Sequence, residues 1–514
     1  TLTPSQKTAI STILDTSTPQ SFLLHGVTGS GKTEIYIQLA AKMQIQHKQT
    51  LILVPEIALT PQYMAIFTSR FGNRLTVIHS GLTPKQRDIA WNKINQNKVD
   101  IIIGPRSAAF TPMQTLGLII MDEEHDPSYK QSTYPRYDTH HIVQFLAKQH
   151  HATVLLGSAT PRITTLHHKQ SQKTQSEKIQ SENTYIRLKD RATGVPLPEV
   201  HIIDMANEQR KNPDALLAQP LINAIHTALS QNEKAMILLN RRGFAPTIIC
   251  QSCNTFFSCP ECQLSYTYHS DKQLRCHRCD TCIPVTNTCS NCHKSTLKFA
   301  GLGIQKIEVH LHQHFPNATI MRMDKDTVKT VNDIDALLTD FKKNGDILLG
   351  TQLIAKGHDI PNVNIVGVLG IDTTLNLPDF RSAEQTFQLL TQVAGRAGRS
   401  QKRGAVYVQT LQPAHYVFKH AQTHDTIGFF DDEIQFREML HYPPYCTLIN
   451  LIISSECLPD AQKYADTTHK TITQQLSEFK KLIIMPVKPC PFEKIRNHFR
   501  FHIVLKCPFQ DEKE

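Results

Sequence analysis

The sequence lacks the features of a membrane or secreted protein. No run approaches the roughly 18 apolar residues that a membrane span requires. The start, TLTPSQKTAI, has no basic segment followed by an apolar one, as a secretory leader would. We therefore expect a soluble, cytoplasmic protein. The chain also lacks an initial methionine and begins at Thr1, which is compatible with removal of an upstream segment.

Internal repeats and a strong charge imbalance are also missing. Lys and Arg total 55 against 45 Asp and Glu, so the formal net charge is +10. This modest excess favours a polyanionic partner without requiring one. With 514 residues and about 150 residues for a typical domain, we expect three or four units.

Short apolar runs alternate with helical patterns, which is typical of parallel α/β sheets. The predicted strands of a first unit are 22–25, 51–55, 101–104, 116–122 and 153–157, and those of a second are 200–204, 235–240, 346–350, 365–370 and 405–410. Almost nothing apolar occurs in 168–184, so this stretch is expected to be a surface loop or linker. The segments PPYCTLINLIISS and RFHIVLK indicate strands of a small C-terminal α+β domain.

A phosphate-binding loop is indicated by GVTGSGKT, which follows the strand FLLH and precedes the helical EIYIQLA. Glycines let backbone N–H groups surround phosphate oxygens, and the helix N-terminus adds its positive dipole end. Lys32 would reach the β and γ phosphates, and the Thr33 hydroxyl would hold Mg²⁺. The alternative is a glycine-rich turn that matches by chance. The predicted ATP-binding residues of this loop are Gly26, Val27, Thr28, Gly29, Ser30, Gly31, Lys32 and Thr33.

Two further motifs predict the rest of an ATP-hydrolysing site. Asp122 follows the apolar strand LGLIIM and would bind Mg²⁺, while Glu123 would polarise the attacking water. In QVAGRAGR, Arg396 and Arg399 lie about one helical turn apart, so both can face one cleft and neutralise the γ-phosphoryl charge. The alternatives are a solvated acidic strand end and an ordinary basic surface turn.

Nine of the thirteen cysteines fall between Cys250 and Cys292. Four CxxC turns supply eight thiolates, enough for two tetrahedral zinc sites of structural type. A disulfide framework or redox chemistry is the alternative. Four pairs combine in three ways, and Cys282 forms an overlapping turn with Cys279; we expect Cys282 to be a bystander. The predicted ligands are Cys250, Cys253, Cys259, Cys262, Cys276, Cys279, Cys289 and Cys292.

The motifs GVTGSGKT, DEEH, LLGSATP, LLNRRGFAP, ILLGTQLIAKGHD and QVAGRAGR, in this order, resemble those of superfamily-2 helicases. With PEIALTPQ, GPRSAAF, DFRSAEQ and the cysteine block, the chain resembles the PriA family of bacterial replication-restart helicases, also called primosomal protein N′. Because the motor motifs begin at once, we expect this chain to lack the family's N-terminal DNA-binding domains, and whether they exist upstream of Thr1 stays open.

This resemblance implies two RecA-like lobes, with the zinc insertion inside the second. The expected division is 1–165 for lobe 1, 166–195 for a polar linker, 196–246 and 299–412 for the two parts of lobe 2, 247–298 for the zinc insertion and 413–514 for the C-terminal domain. It also implies that the outer cysteine pairs, Cys250 with Cys253 and Cys289 with Cys292, share one metal.

The resemblance implies further residue roles. Gln6 would contact adenine and Gln392 would complete the ATP site. Hydrolysis would be coupled to lobe movement by Glu124, His125, Ser158 and Thr160. An aromatic-rich loop after DEEH would link DNA contact to ATP turnover, although its residues also suit a packed surface loop. The expected DNA contacts are Tyr129, Lys130, Arg136, Arg242 and Lys356.

The implied activity is ATP-driven 3′ to 5′ unwinding of DNA at stalled or repaired replication forks, with assembly of the primosome. The implied partners are forked and single-stranded DNA, single-stranded-DNA-binding protein, primosome proteins and the replicative helicase. Two alternatives stay open: a translocase that does not separate strands, and a fork-binding scaffold in which ATP is a switch.

Overall fold

The structure is a computed structural model that describes most of residues 2–508. Outside the described residues are 17, 56–60, 176–183, 214, 241–247, 251, 254–255, 258, 261–265, 269–272, 277–280, 286–287, 290, 296, 300–303, 325–326, 329, 352–353, 355–361, 399–402 and 480; the backbone alone is described at 61–62, 171–175, 267, 297–299 and 331–332. None of the described helices combines the length and apolar character that crossing a lipid bilayer demands.

The first lobe is a seven-stranded parallel sheet in the order β3-β4-β2-β5-β8-β1-β9. All five strands predicted for this unit are confirmed, because their apolar runs are buried on both faces. The short strands β3 and β9 were not predicted. The strands are β1 (Ser21–Gly26), β2 (Gln49–Leu53), β3 (Leu75–Val77), β4 (Ile101–Gly104), β5 (Leu116–Asp122), β8 (Thr153–Ser158) and β9 (Tyr185–Leu188).

In the described part of this lobe, six α-helices and a hairpin accompany the sheet. The first helix begins at a capping box, in which Thr3 and Gln6 bond each other's backbone amides. Its N-terminus is therefore fixed beside the phosphate-binding loop. The hairpin consists of β6 (Lys130–Gln131) and β7 (Tyr137–Asp138). The helices are α1 (Pro4–Leu14), α2 (Lys32–Ile45), α3 (Pro61–Phe71), α4 (Pro84–Asn95), α5 (Thr139–His150) and α6 (Ile163–Gln175).

The interval 166–195, predicted as a polar linker, is largely structured where it is described. Helix α6 extends to Gln175, and β9 pairs in parallel with β1 from Tyr185 to Leu188. The linker prediction is therefore wrong for these elements, which belong to lobe 1. Polar composition obscured a four-residue strand that buries Leu188 against the first sheet.

The second lobe is a six-stranded parallel sheet in the order β10-β20-β19-β11-β18-β17. Its five predicted strands are confirmed, and β17 was not predicted. The strands are β10 (Glu199–Asp204), β11 (Lys234–Leu239), β17 (Ile320–Met323), β18 (Ile347–Gly350), β19 (Val363–Leu369) and β20 (Ala405–Thr410). The helices are α7 (Met205–Lys211), α8 (Gln219–Ser230), α9 (Ile304–His314), α10 (Val331–Asn344), α11 (Asp372–Leu375) and α12 (Ser382–Ala394).

A small antiparallel insertion separates β11 from α9. Its two ends are joined by the pair β12 (Ile248–Cys250) and β16 (Leu297–Phe299), so the chain leaves lobe 2 and returns at one place. A second sheet contains β13 (Thr267–Tyr268), β14 (Gln273–Arg275) and β15 (Cys282–Pro284).

The C-terminal part divides at a different place from the predicted boundary at 413. Helices α13 (Tyr416–Gln422) and α14 (Thr426–Met439) pack in the apolar cluster that also contains residues of both lobes. Phe429 of α14 stacks on Phe387 of α12 with ring centroids 4.3 Å apart. The separate α+β unit follows these helices and comprises β21 (Cys446–Ser455), α15 (Leu458–Gln475), β22 (Ile483–Ile484), β23 (Lys488–Ile495) and β24 (His498–Pro508).

Candidate functional site

The loop between β1 and α2 has the shape of a phosphate cradle. Gly29 and Gly31 adopt left-handed backbone conformations, with φ of 84° and 80°. Only glycine adopts these angles readily, so the loop can turn its amides inward. Lys32, the first residue of α2, donates from Nζ to the Gly26 carbonyl oxygen at 3.0 Å. The ammonium group is thus held over the loop at a helix N-terminus, where anions bind.

Two side chains next to the cradle support an anionic ligand there. The hydroxyl of Ser30 is buried and has no hydrogen-bond partner in the described part of the chain. A buried unpaired hydroxyl is costly unless a ligand satisfies it. Gln6 lies beside the loop, where its Nε2 donates to the Ser30 carbonyl at 3.0 Å and its Oε1 accepts from the Thr3 amide at 2.9 Å.

Asp122 lies at the carboxyl end of β5 in an enclosed position. Its Oδ1 accepts hydrogen bonds from the Tyr36 hydroxyl at 2.8 Å and the Glu123 amide at 3.0 Å. Burial, followed by the charge of Glu123, raises the pKa of Asp122 to about 6. Two neighbouring carboxylates suit a hard divalent cation such as Mg²⁺.

Glu123 itself is strained. Its backbone φ is 47°, a left-handed value that is unusual for a residue with a side chain, and its Oε2 is buried without a hydrogen-bond partner in the described residues. Strained residues with unpaired buried oxygens concentrate at functional sites. The same carboxylate oxygen lies 3.5 Å from His125 Nδ1.

His125 connects the two lobes. Its Nδ1 lies 2.7 Å from the Ser158 hydroxyl oxygen and its Nε2 lies 2.7 Å from Nε2 of Gln392 on α12. The ring therefore lies in hydrogen-bond contact with one side chain of each lobe. Ser158 also accepts from the Thr160 amide at 2.9 Å. One hydrogen-bonded chain therefore crosses from the end of β8 to lobe 2.

Glu124 is fully buried and organises the start of α6. It contacts His140 Nε2 at 3.0 Å and accepts from the Arg162 amide at 2.7 Å and the Thr165 hydroxyl at 3.1 Å. Burial alone would raise the pKa of Glu124, but the His140 hydrogen bond and the nearby Arg162 charge lower it overall. The carboxylate is thus ionised and fixes the segment that follows Thr160.

The end of α12 reaches the phosphate cradle. Gly395 is so close to Thr28 that a Cβ there would lie 2.5 Å from the Thr28 Cβ. Arg396 follows directly and is half-buried. Arg399 lies outside the described residues. The structure therefore brings Arg396 to the lobe that carries the cradle.

Four cysteines of the insertion converge on one point. The ligand atoms of Cys250, Cys253, Cys289 and Cys292 all lie within 4.8 Å of one another, and the Sγ atoms of Cys250 and Cys292 are 3.5 Å apart. Zinc–sulfur bonds of about 2.3 Å place tetrahedral thiolates roughly 3.8 Å apart, so this quartet fits a closed zinc site. The outer CxxC pairs share it.

The inner pairs are described only in part. Cys259 and Cys276 are buried in an apolar cluster with Phe257 and Leu274, whereas Cys262 and Cys279 lie outside the described residues. Cys282 is exposed in β15. Its expected bystander role stays a prediction, because Cys262 and Cys279 of the inner pairs lie outside the described residues.

Family models match three parts of the chain: "DEAD/DEAH box helicase" at residues 3–168, "Helicase conserved C-terminal domain" at 271–401 and "Primosomal protein N C-terminal domain" at 438–514. Replication restart protein PriA of Chlamydia muridarum is 40% identical over 517 residues, which are 98% of this chain and 67% of that protein. The chain belongs to the PriA family of replication restart proteins.

Two other PriA proteins show how much of a relative this chain spans. That of Bacillus subtilis is 40% identical over 98% of this chain, and that of Synechocystis is 38% identical over 99% of it. The chain spans 62% and 61% of their respective lengths. The resemblance of the sequence to PriA helicases is confirmed.

The structure separates the expected DNA contacts of this PriA chain. Tyr129 is 1% exposed, and its hydroxyl donates to the Asp122 carbonyl at 2.6 Å. Its ring cannot stack on a base, so the DNA-binding assignment of Tyr129 is wrong; it is a packing residue beside the nucleotide site. Lys130 and Arg136 are exposed on the β6-β7 hairpin, and their DNA contact stays a prediction. Arg242 and Lys356 lie outside the described residues.

Two residues near the cradle and the hairpin were not predicted from the sequence. Arg191 donates from Nη1 to the Gly398 carbonyl at 2.8 Å and packs near Gly29, so it joins the cradle to the end of the arginine motif. Tyr134, at the tip of the hairpin, is 94% exposed. The available sequence signal was a tyrosine between Lys130 and Arg136, since aromatic rings beside cations suit stacking on a base.

Replacing Gly395 with alanine should lower the rate of ATP turnover about 10-fold, because displacing reacting groups by a fraction of an ångström is costly. The added methyl would collide with Thr28 and force the lobes apart. Steady-state phosphate release measures this effect. Gly81→Ala is the matched control, since the nearest atom there is an exposed His79 ring nitrogen at 3.1 Å. Equal rates for the two variants would contradict the prediction.

Proposed function

We propose that this chain is the motor region of an ATP-dependent DNA helicase that unwinds DNA 3′ to 5′ at stalled or repaired replication forks. In this proposal it restarts replication and assembles the primosome. The observation that carries it is the contact between His125 of lobe 1 and Gln392 of lobe 2. A nucleotide site that spans two lobes converts hydrolysis into relative lobe movement, which a switch confined to one lobe does not require.

Each residue near the cradle has a distinct role in the proposed ATP hydrolysis. Lys32 would exchange its bond to the Gly26 carbonyl for the β and γ phosphates, and Thr33 stands next to it on α2. Glu123 would accept a proton from the attacking water. Arg396 and Arg399 would neutralise the developing charge. Asp122 would hold Mg²⁺, which would neutralise charge on the phosphates.

The hydrogen-bonded chain explains how hydrolysis would be transmitted. A movement of the Glu123 carboxylate would alter its contact with His125, because Glu123 Oε2 lies 3.5 Å from His125 Nδ1. His125 in turn contacts Ser158 and Gln392. Loss of the γ phosphate would therefore alter contacts on both lobes at once.

DNA would be sensed by the β6-β7 hairpin. Its exposed Lys130, Tyr134 and Arg136 combine phosphate-binding cations with a stacking ring. The strand β7 ends at Asp138, which contacts His140 Nδ1 at 3.0 Å, and His140 contacts Glu124. These contacts connect the hairpin to Glu124, which follows Glu123 in the chain.

The cysteine insertion would hold two structural Zn²⁺ ions. The quartet Cys250, Cys253, Cys289 and Cys292 supports the first, and the second would be held by Cys259, Cys262, Cys276 and Cys279. We further propose a cytoplasmic protein whose partners are single-stranded-DNA-binding protein, primosome proteins and the replicative helicase. Family membership supports these assignments.

The test is strand displacement from a forked DNA duplex whose two arms differ in polarity, followed by fluorescence as the strands separate. We expect ATP-dependent release of a DNA strand only when the protein can load on a single-stranded arm and move along it toward the duplex in the 3′ to 5′ direction. ATP turnover without release would instead favour a translocase. DNA binding without turnover would leave only the scaffold alternative. ADP in place of ATP is the control.

A further inference from the structure

Helix α12 of lobe 2 presents three residues, spaced four apart, to lobe 1. Glu384 Oε1 accepts from the Ile163 amide at 2.8 Å, and Gln388 Nε2 lies 3.5 Å from the Thr160 carbonyl oxygen. Gln392 contacts His125. Residues four apart share one helix face. A single face of α12 therefore contacts both the segment from Thr160 to Ile163 and His125, which lies near Glu123.

Glu384 is held from the other side by the C-terminal helices. Arg437 of α14 donates from Nη2 to Glu384 Oε2 at 2.7 Å and from Nε to Glu433 Oε1 at 3.0 Å. The Arg437 side chain is 1% exposed. Glu433 also accepts from the Tyr416 hydroxyl at 2.5 Å. The guanidinium group is therefore locked between two carboxylates inside the protein.

The same arginine is joined to the C-terminal sheet. Its Nη1 donates to the Pro443 carbonyl at 3.3 Å, and its backbone carbonyl accepts from the Tyr442 amide at 2.8 Å. Lys506 of β24 donates to the Leu440 carbonyl at 2.9 Å and lies over the Tyr442 ring. Hydrogen bonds and packing thus run from β24 through the 440–443 turn to Arg437 and Glu384.

A buried ion pair of this kind is a weak source of stability. The desolvation of its charges offsets much of their attraction, and apolar replacements are often equally stable. Its geometric effect is larger, because charged hydrogen bonds fix the orientation of both partners. The position of this pair, between a hydrolysis motif and the C-terminal sheet, points to a role in alignment.

We propose that Glu384 is a positioning residue through which the docking of the C-terminal sheet, by way of Arg437, sets the rate of ATP hydrolysis. This proposal rests on the proposed helicase function. When Arg437 holds Glu384, α12 is aligned with the Thr160–Ile163 segment and His125. When the C-terminal sheet moves, the pair loosens and the alignment of the nucleotide site is lost.

Steady-state ATP turnover of the full chain tests the proposal through three variants, E384Q, R437K and the double variant E384Q/R437K. In E384Q the side-chain carbonyl oxygen can still accept a hydrogen bond from the Ile163 backbone amide. The side chain no longer carries a negative charge toward Arg437. We expect the DNA-stimulated kcat to fall about 10-fold for E384Q, with KM for ATP changed less than about twofold. The double variant should be no slower than the slower single variant, since both changes break one link.

The matched control is E199Q, which removes the charge from an exposed ion pair with Arg403 at 2.7 Å. It should retain the normal kcat. A merely structural role for Glu384 would lower the melting temperature and leave kcat at low temperature unchanged, and that result overturns the proposal. Additive losses in the double variant also overturn it. If E384Q fails to fold, a normal kcat for R437K overturns the proposal instead.

The wild-type chain separates the two hypotheses. An absence of DNA-stimulated turnover in the wild type refutes the proposed function. Stimulated turnover that E384Q and R437K fully retain refutes only the positioning role.

Discussion

Lys32→Ala is expected to lower ATP turnover by about 100- to 1000-fold, the range seen when one preorganised electrostatic group is removed. The ammonium group is held over the phosphate cradle by the Gly26 carbonyl, and no other lysine lies within 26–33. Strand separation should become undetectable. DNA affinity should change less than about twofold, because Lys32 points into the cradle and the proposed DNA residues lie on the hairpin.

Phosphate release, strand displacement and fluorescence anisotropy of labelled DNA measure these three effects. Lys42→Ala is the matched control, since Lys42 is exposed in the last turn of the same helix. It removes the same charge from α2 without touching the loop. Strand separation by the Lys32 variant would contradict the proposed motor function.

Cys253→Ser is expected to remove one of two bound zinc ions and to unfold the base of the insertion. A serine hydroxyl is a poor zinc ligand, and the quartet leaves no nearby thiol in the described residues to replace it. Structural zinc contributes on the order of 10 kcal/mol of apparent binding energy in small domains, so its loss exceeds what the short strands β12 and β16 can offset.

Metal content of the purified chain measures this directly. We expect two zinc ions per chain in the wild type, about one in the Cys253 variant and two in Cys282→Ser. The control is matched because Cys282 lies in the same insertion but is exposed in β15. Retention of both ions by the Cys253 variant would show that the quartet is not a metal site.

Local motifs predicted the shape of the phosphate cradle and the convergence of the outer cysteine pairs, because both depend on residues close together in sequence. The turn from Gly26 to Thr33 requires glycines at fixed spacing between a strand and a helix, and all of these are visible in sequence. The same holds for CxxC turns. Strands were predicted where apolar runs are buried on both faces. The three-residue β3 and the four-residue β9 carry too short a pattern to be distinguished from loops.

Long-range partners could not be predicted. Glu384 meets Ile163 across 221 residues, and Arg191 meets Gly398 across 207. Nothing near either residue indicates such a partner. Tyr129 illustrates the opposite error. Its aromatic and basic neighbours suggested DNA stacking, but composition does not reveal which side of a loop faces the core.

The placement of β9 in the first sheet determines how far the two lobes can separate. Because β9 ends at Leu188 and β10 begins at Glu199, the two sheets are tethered by residues 189–198, which span at most about 36 Å when fully extended. Arg191 shortens this tether further while it holds the Gly398 carbonyl. The polar stretch 168–184 begins and ends on lobe 1, so its length does not change the maximum separation of the lobes. That separation is limited by residues 189–198, which lie beside the phosphate cradle.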